Sequence, residues 1–164
     1  MINGINATDT IVLRVVGIFI SPGHNFFGHQ EQPAGTHPTV AVDEVECVAG
    51  RGLCGDRFFG FKENYKGQVT LFAAEVFDAV CGQLGVRDKS PGVTRRNIIT
   101  RGVDLNSLVG KRFIVQGVEL EGVAECSPCH WMNEAIAPGA EAALHGRGGL
   151  RARILTDGVL RVDA

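Results

Sequence analysis

The feature that most constrains this chain is the punctuation of its apolar runs by glycine. Twenty-two glycines divide a 164-residue sequence that is 45% hydrophobic into Val- and Ile-rich stretches, most of them too short for helices. Strands are expected over residues 11–20, 39–48, 67–72, 97–100, 112–116, 118–124, 150–156 and 159–162. Gln116-Gly117 and Asp157-Gly158 sit where tight hairpin turns belong, because both tolerate positive φ. One longer segment, residues 73–84, places Val76, Phe77, Val80 and Leu84 on a single helical face. Shorter helices are expected over 128–137 and 140–145. The fold class is therefore mainly β with short α-helices, and a closed or partly closed barrel is expected because closure removes exposed strand edges.

A chain of this length reads as a single domain over 1–164. Within it, a disordered N-terminus over 1–11 and a long loop over 21–38 are expected. That loop holds three of the six prolines and three of the five histidines.

The formal net charge of −2 gives the whole chain no electrostatic footprint for nucleic acid or an anionic membrane, so any anion site has to be local. The apolar stretch 11–20 is interrupted by Arg14, is too short to span a bilayer, and lacks the basic start and cleavage site of an export signal. A cytoplasmic protein is expected. Five cysteines, an odd number in a chain large enough to dispense with staples, favour reduced thiols over a disulfide framework.

Residues 125–132 (ECSPCHWM) carry the most chemical information. Ser127 and Pro128 suit the cap and first turn of a helix, which would place Cys129 where the helix dipole and free N–H groups stabilise a thiolate. Cys129 is accordingly the candidate nucleophile or soft metal ligand. Burial as a small apolar side chain is the alternative, and it is the reading adopted for Cys47 and Cys81. Cys126-Ser-Pro-Cys129-His130 also matches the C-x-x-C-H pattern of covalent haem attachment, but no export signal accompanies it. A structural zinc held by Cys47, Cys54, Cys126 and Cys129 would need an atypical C-x6-C pair.

Gly50-Arg-Gly52-Leu-Cys-Gly55 matches G-x-G-x-x-G, yet the following DRFFGFKENYKG has no helical period, so a dinucleotide loop is disfavoured. Five basic residues between 91 and 115 face one acid. Arg95, Arg96 and Asn97 open a strand there, with groups that can fork onto phosphate oxygens or heterocycle edges. Gly146-Arg147-Gly148-Gly149 offers a second loop of exposed N–H groups with one arginine. His24, His29 and His37 match no compact metal motif.

Taken together, GLCGDRFFG at 52–60, GQVTLFAAE at 67–75, RRNIITRGVDLNSLVGKRF at 95–113, the PC pair at 128–129 and GRGGLRARIL at 146–155 resemble the MOSC family. That family is named after the C-terminal domain of molybdenum-cofactor sulfurases, and the landmarks run in family order from about residue 12 to 163. The resemblance implies a β-barrel of the pyruvate-kinase-insert type. It implies the molybdenum cofactor (molybdopterin), with Cys129 as molybdenum ligand or persulfide acceptor. Arg57, Gln68, Thr70, Arg95, Arg96, Asn97 and Arg147 are the residues expected to bind that cofactor. The sequence has neither the extra N-terminal barrel of amidoxime-reducing relatives nor the pyridoxal-phosphate-dependent desulfurase domain of full sulfurases. The implied partners are therefore a separate cysteine desulfurase, which would hold any pyridoxal phosphate, or a redox protein, and a molybdoenzyme acceptor. Cys126 could resolve a persulfide on Cys129 as a disulfide. A small cofactor-dependent reductase of N-hydroxylated compounds and a non-catalytic cofactor carrier stand beside the sulfur-carrier reading.

Overall fold

The computed structural model describes residues 9–10, 12–25 and 33–164. Residues 1–8 and 11 of the expected disordered N-terminus, and residues 26–32 of the expected long loop, lie outside the described residues.

Eleven strands and three short helices alternate along the described chain. The strands are β1 (Asp9–Thr10), β2 (Arg14–Ile20), β3 (Val40–Ala41), β4 (Glu44–Val48), β5 (Gly52–Leu53), β6 (Val69–Ala73), β7 (Ile98–Arg101), β8 (Arg112–Val115), β9 (Val118–Glu125), β10 (Leu150–Ile154) and β11 (Gly158–Arg161). The helices are α1 (Ala74–Leu84), α2 (Trp131–Ala135) and α3 (Ala140–Ala143). The protein is thus mainly β with short helices.

Eight strands form one sheet in the order β1-β8-β9-β10-β6-β7-β2-β3, and β11-β4-β5 form a second. Neither order closes into a ring among the described residues. Single backbone bonds join the two sheets at their corners: Val42 N–H donates to Ile18 O at 3.0 Å, Gly50 N–H to Ile154 O at 2.9 Å, and Asp163 N–H to Val15 O at 2.8 Å.

Side-chain alternation along the central strands explains why the sheet is covered on both faces. On β6, Val69, Leu71 and Ala73 enter the core between the sheets, while Phe72 points the other way. Ile98 and Ile99 divide in the same manner on β7. The second apolar layer is roofed by Phe77 and Val80 of α1, Met132 of α2 and Ala140 of α3. Strands β6 and β7 are parallel, so α1 is the crossover such a pair requires.

The expected hairpin at Gln116-Gly117 forms, with φ of 50° and 82° at the two turn residues, joining β8 to β9. The one at Asp157-Gly158 does not. β10 pairs with β9 and β6, whereas β11 crosses to the second sheet and pairs with β4. Asp157 is committed instead to receiving the Ala49 N–H at 2.8 Å, and a side chain at Gly158 would press on Val118. The expected strand 39–48 is likewise divided into β3 and β4, one in each sheet.

Two glycines make the packing testable. A Cβ on Gly122 would collide with the Leu108 carbonyl oxygen, a backbone atom that cannot swing away. Gly122→Ala is expected to lower stability in urea unfolding by about 1–3 kcal/mol. Gly82, exposed within α1 with open space around it, gives the opposite sign: Gly82→Ala raises stability by roughly 0.5–1 kcal/mol.

Candidate functional site

Four arginines reach one cleft through different routes. Just after β5, buried Asp56 receives the Ser21 N–H at 3.0 Å and the Phe58 N–H at 3.3 Å, which fixes the turn carrying Arg57. Arg57 pairs with Asp56 at 3.2 Å, donates to Arg95 O at 3.3 Å, and lies 4.6 Å from the centre of the Phe58 ring. Burial lowers the pKa of its guanidinium, and Asp56 opposes that shift. No helix follows this glycine-rich segment, in keeping with the case against a dinucleotide loop.

Arg95 occupies the left-handed region, with φ of 59°, after a 3-10 turn over Pro91–Thr94. Its guanidinium donates to Ser21 Oγ at 2.6 Å, Thr39 Oγ1 at 3.1 Å, His37 O at 3.3 Å and Gly23 O. It therefore gathers both described ends of the 21–38 loop. Burial and nearby Arg57 pull its pKa down to about 10. Arg96 donates to three carbonyls, those of Gly148 at 3.0 Å, Cys126 at 3.2 Å and Thr94 at 3.4 Å. It ties the cysteine segment to the loop before β10.

Asn97 and Thr70 form a clamp rather than a pair of open donors. Asn97 Oδ1 receives both the backbone N–H and the hydroxyl of Thr70, at 3.0 and 3.1 Å, while its amide donates to Phe19 O at 3.0 Å. Gln68 is buried and receives the Ile154 N–H at 2.9 Å. Thr70 also lines the cleft, together with Arg57, Arg95 and Arg96. Arg147 lies elsewhere: it borders a separate cavity with Glu75 and Asp104 and donates to Ala143 O at 2.9 Å.

The fourth cleft arginine, Arg151 on β10, faces Thr70 across the sheet and makes no side-chain hydrogen bond or ion pair among the described residues. Sequence reasoning passed over it. Its signal was the alternation of β10, where Leu150, Ala152 and Ile154 are buried and Arg151 and Arg153 share the other face. Phe58 and Tyr65, the only tyrosine, also line the cleft and were not singled out.

The thiols are placed differently from the expected helix-start arrangement. Residues 126–129 run as irregular chain, and α2 begins only at Trp131, with His130 at its cap position. Cys129 therefore precedes the helix and is exposed. The segment is held in irregular chain because Cys126 N–H donates to Gly149 O at 2.7 Å and Pro128 packs where a Gly148 side chain would sit. Cys126, not Cys129, lines the arginine cleft. All five cysteines are free, and burial pushes the Cys47 thiol up to about 12 and also raises Cys81, as suits packing residues. Among the described residues no group of three or more His, Cys, Asp or Glu side chains is placed to hold a metal, and His29 lies outside them.

Comparison with known proteins now bears on this geometry. The sequence profile of the MOSC domain matches residues 50–164. The chain belongs to the MOSC domain family. No curated protein matches it. Among solved structures, the YUAD protein from Bacillus subtilis superposes with a TM-score of 0.72 at 20% identity, covering 92% of this chain and 91% of that one. YiiM from Geobacillus stearothermophilus does so with a TM-score of 0.65 at 16% identity, covering 93% and 73%. At these identities the superpositions speak to the fold. The MOSC match begins at Gly50 and contains Arg57, Arg95, Arg96, Arg151 and both cysteines of the 126–129 segment.

No helix among the described residues is long and apolar enough to cross a membrane.

The four cleft arginines divide into three holders and one, Arg151, that is unengaged among the described residues. Arg95→Ala should cost more than about 2 kcal/mol in urea unfolding because it strips hydrogen bonds from buried partners, whereas Arg151→Ala should change stability by no more than about 0.5 kcal/mol. His24 reports the field: burial, then Arg57 and Arg95, lower its pKa from 6.5. With the folded value depressed, the unfolded chain takes up this proton first, so the His24 contribution to stability falls as pH drops through the ordinary imidazole range. Phosphate entering the cleft should move the His24 NMR titration upward, and an unmoved midpoint would mean that no anion settles there.

Proposed function

We propose that this MOSC protein binds the molybdenum cofactor, with the cofactor's phosphate in the arginine cleft and the 126–129 segment supplying sulfur chemistry at its edge. The observation that carries the reading is the Arg151 guanidinium, without a side-chain hydrogen bond or ion pair among the described residues, in a cleft shared with Arg57, Arg95, Arg96 and the Cys126 thiol. The donor set fits the group. Guanidinium suits phosphate oxygens, and thiolate is a soft ligand suited to molybdenum. Arg151 is the primary anchor, Arg57 and Arg96 are supporting donors, and Arg95, Asn97, Thr70 and Gln68 keep the walls in place. When bound, the cofactor would supply redox or sulfur-transfer chemistry at its metal. The chain's own part is to hold the anion, shape the cleft and present a thiol. In this reading the two corner-joined sheets amount to the pyruvate-kinase-insert-type barrel, and the protein works in the cytoplasm.

Within that reading, sulfur carriage is favoured by the exposure of Cys129. The Cys129 thiolate attacks the terminal sulfur of a persulfide on a separate cysteine desulfurase. A new S–S bond forms to Cys129, the partner's S–S bond breaks, and the partner's cysteine leaves as thiolate, with no net oxidation. A molybdoenzyme is the onward acceptor. In the reductase alternative, a redox partner would feed electrons to cofactor held in the same cleft.

Expression in a host that makes the cofactor, followed by measurement of bound molybdenum and released pterin, tests the proposal. Wild type should carry both in near-equal amounts, and Arg151→Ala should lose at least tenfold without loss of fold. Cys129→Ser should abolish persulfide loading from a desulfurase. Equal loading of wild type and Arg151→Ala would remove the cleft from the account, and unchanged persulfide loading of Cys129→Ser would remove that thiol.

A further inference from the structure

A separate groove of about 710 Å³ lies beside the cysteine segment, against about 110 Å³ for the arginine cleft. One wall is the chain leaving β9, with Glu125, Ser127 and Pro128, and the other is α3 with the turn after it, with Glu141, His145 and Gly146. Tertiary bonds fix both walls. Pairing with Leu150 sets Glu125, the Asn133 side chain receives the Glu141 N–H at 3.0 Å, and the Asn106 amide donates to Gly146 O at 2.8 Å. The groove has room for several side chains of another molecule.

Its charge is one-sided. No lysine or arginine lines it. Glu125 and Glu141 are half-buried, and neither carboxylate makes a side-chain hydrogen bond or ion pair among the described residues. Elsewhere on β9 the acids are answered, Glu119 by Arg112 at 3.9 Å and Glu121 by Arg153 at 3.2 Å. Arg147, two residues beyond His145, donates to Ala143 O and borders the other cavity. Holding two carboxylates partly out of water without a counter-charge is costly, and an arriving cation offsets that cost.

Position supplies the second argument. Cys129 directly follows Pro128, so its Cα lies about 3.8 Å from that of a residue lining the groove. Its thiol is exposed. A persulfide brought to Cys129 by another protein arrives on a backbone, and that backbone has to rest on the surface beside Cys129.

We propose that this groove receives a basic, extended segment of the persulfide donor, in which lysine or arginine side chains flanking the donor's cysteine meet Glu125 and Glu141. This rests on the sulfur-carriage reading of Cys129 and names the surface and the charge of the partner. In the transfer the Cys129 thiolate takes the terminal sulfur, the donor's S–S bond breaks, and the donor's cysteine leaves as thiolate. Opposite charge speeds the encounter and leaves that chemistry unaltered.

The test measures the rate at which Cys129 gains a persulfide, read by peptide mass mapping after alkylation. The donors are the persulfides of Lys-Lys-Cys-Lys-Lys, Glu-Glu-Cys-Glu-Glu and free cysteine. At low ionic strength the basic peptide should load Cys129 at least about tenfold faster than the acidic one. The ratio should collapse in 1 M salt, where charges are screened within about 3 Å. Glu125→Gln/Glu141→Gln should cut the ratio at least about fivefold, and Glu125→Lys/Glu141→Lys should invert it. Asp43→Asn/Glu44→Gln, the same change of net charge in the second sheet, should leave it standing. Partial loss of fold lowers both rates and does not mimic a changed ratio. A ratio near one in wild type, or one that the groove variants leave standing, would overturn the docking groove while free cysteine persulfide still loads Cys129. Loading by none of the donors would overturn the sulfur-carriage reading and the groove with it. Wild-type dimers in light scattering that Glu125→Lys/Glu141→Lys abolishes would assign the groove to a second copy of the chain, which also overturns the proposal.

Discussion

Three consecutive side chains just before β7 hold together the segments that surround the cleft. Arg95 reaches the two described ends of the 21–38 loop, Arg96 ties the Cys126 segment to Gly148, and Asn97 joins β6 to the end of β2. Each contact satisfies a backbone or side-chain polar group that would otherwise be costly to enclose. The left-handed turn at Arg95 is what lets neighbouring residues point in such different directions. Asn97 is then tied to β6 by the Thr70 bonds that lead into the parallel pairing of β7 with β6. The site is consequently an outcome of how this strand is entered.

This arrangement concentrates positive charge. Burial lowers the pKa values of Arg57, Arg95 and His24, Arg96 adds to the shift at Arg57, Arg57 to that at Arg95, and both Arg57 and Arg95 to that at His24, while Asp56 is the carboxylate that opposes all three shifts. Bringing guanidinium groups together out of water costs energy that carbonyl oxygens only partly return, since a carbonyl carries no net charge. Arg151 adds a further cation with no hydrogen-bond or ion-pair partner among the described residues. A bound anion would offset that repulsion.

The sequence revealed the elements better than their connections. The Gln116-Gly117 hairpin was legible because two positive-φ residues between apolar runs have one common use. Asp157-Gly158 carries the same local signal, but Val118 and the Ala49 N–H, both remote in sequence, send the chain to another sheet. Arg57, Arg95 and Arg96 were grouped by type and position, and the fold does bring them to one cleft. Their division of labour was not legible, because a guanidinium that binds carbonyls and one left open look identical in sequence. Arg151 was hidden by its setting within an ordinary alternating strand, and only its register opposite Thr70 brings it to the cleft.

The cysteine pair shows the same limit from the chemical side. Ser127 and Pro128 are good helix starters, and local preference alone would begin the helix there. Three tertiary ties prevent it: Cys126 N–H to Gly149 O, Arg96 to Cys126 O, and the close approach of Gly148 to Pro128. The chain turns only at Cys129 and His130, where the Met132 N–H reaches Cys129 O at 3.0 Å, and Met132 then enters the layer above β6 and β7. One thiol is thereby left inside the cleft and the other outside it. In the proposed reading, a sulfur atom arriving from a partner would meet exposed Cys129 first, while an anion seated beside Arg57 and Arg151 would have Cys126 as its neighbouring thiol. Access and confinement are thus assigned to two different cysteines by backbone hydrogen bonding rather than by the helix dipole.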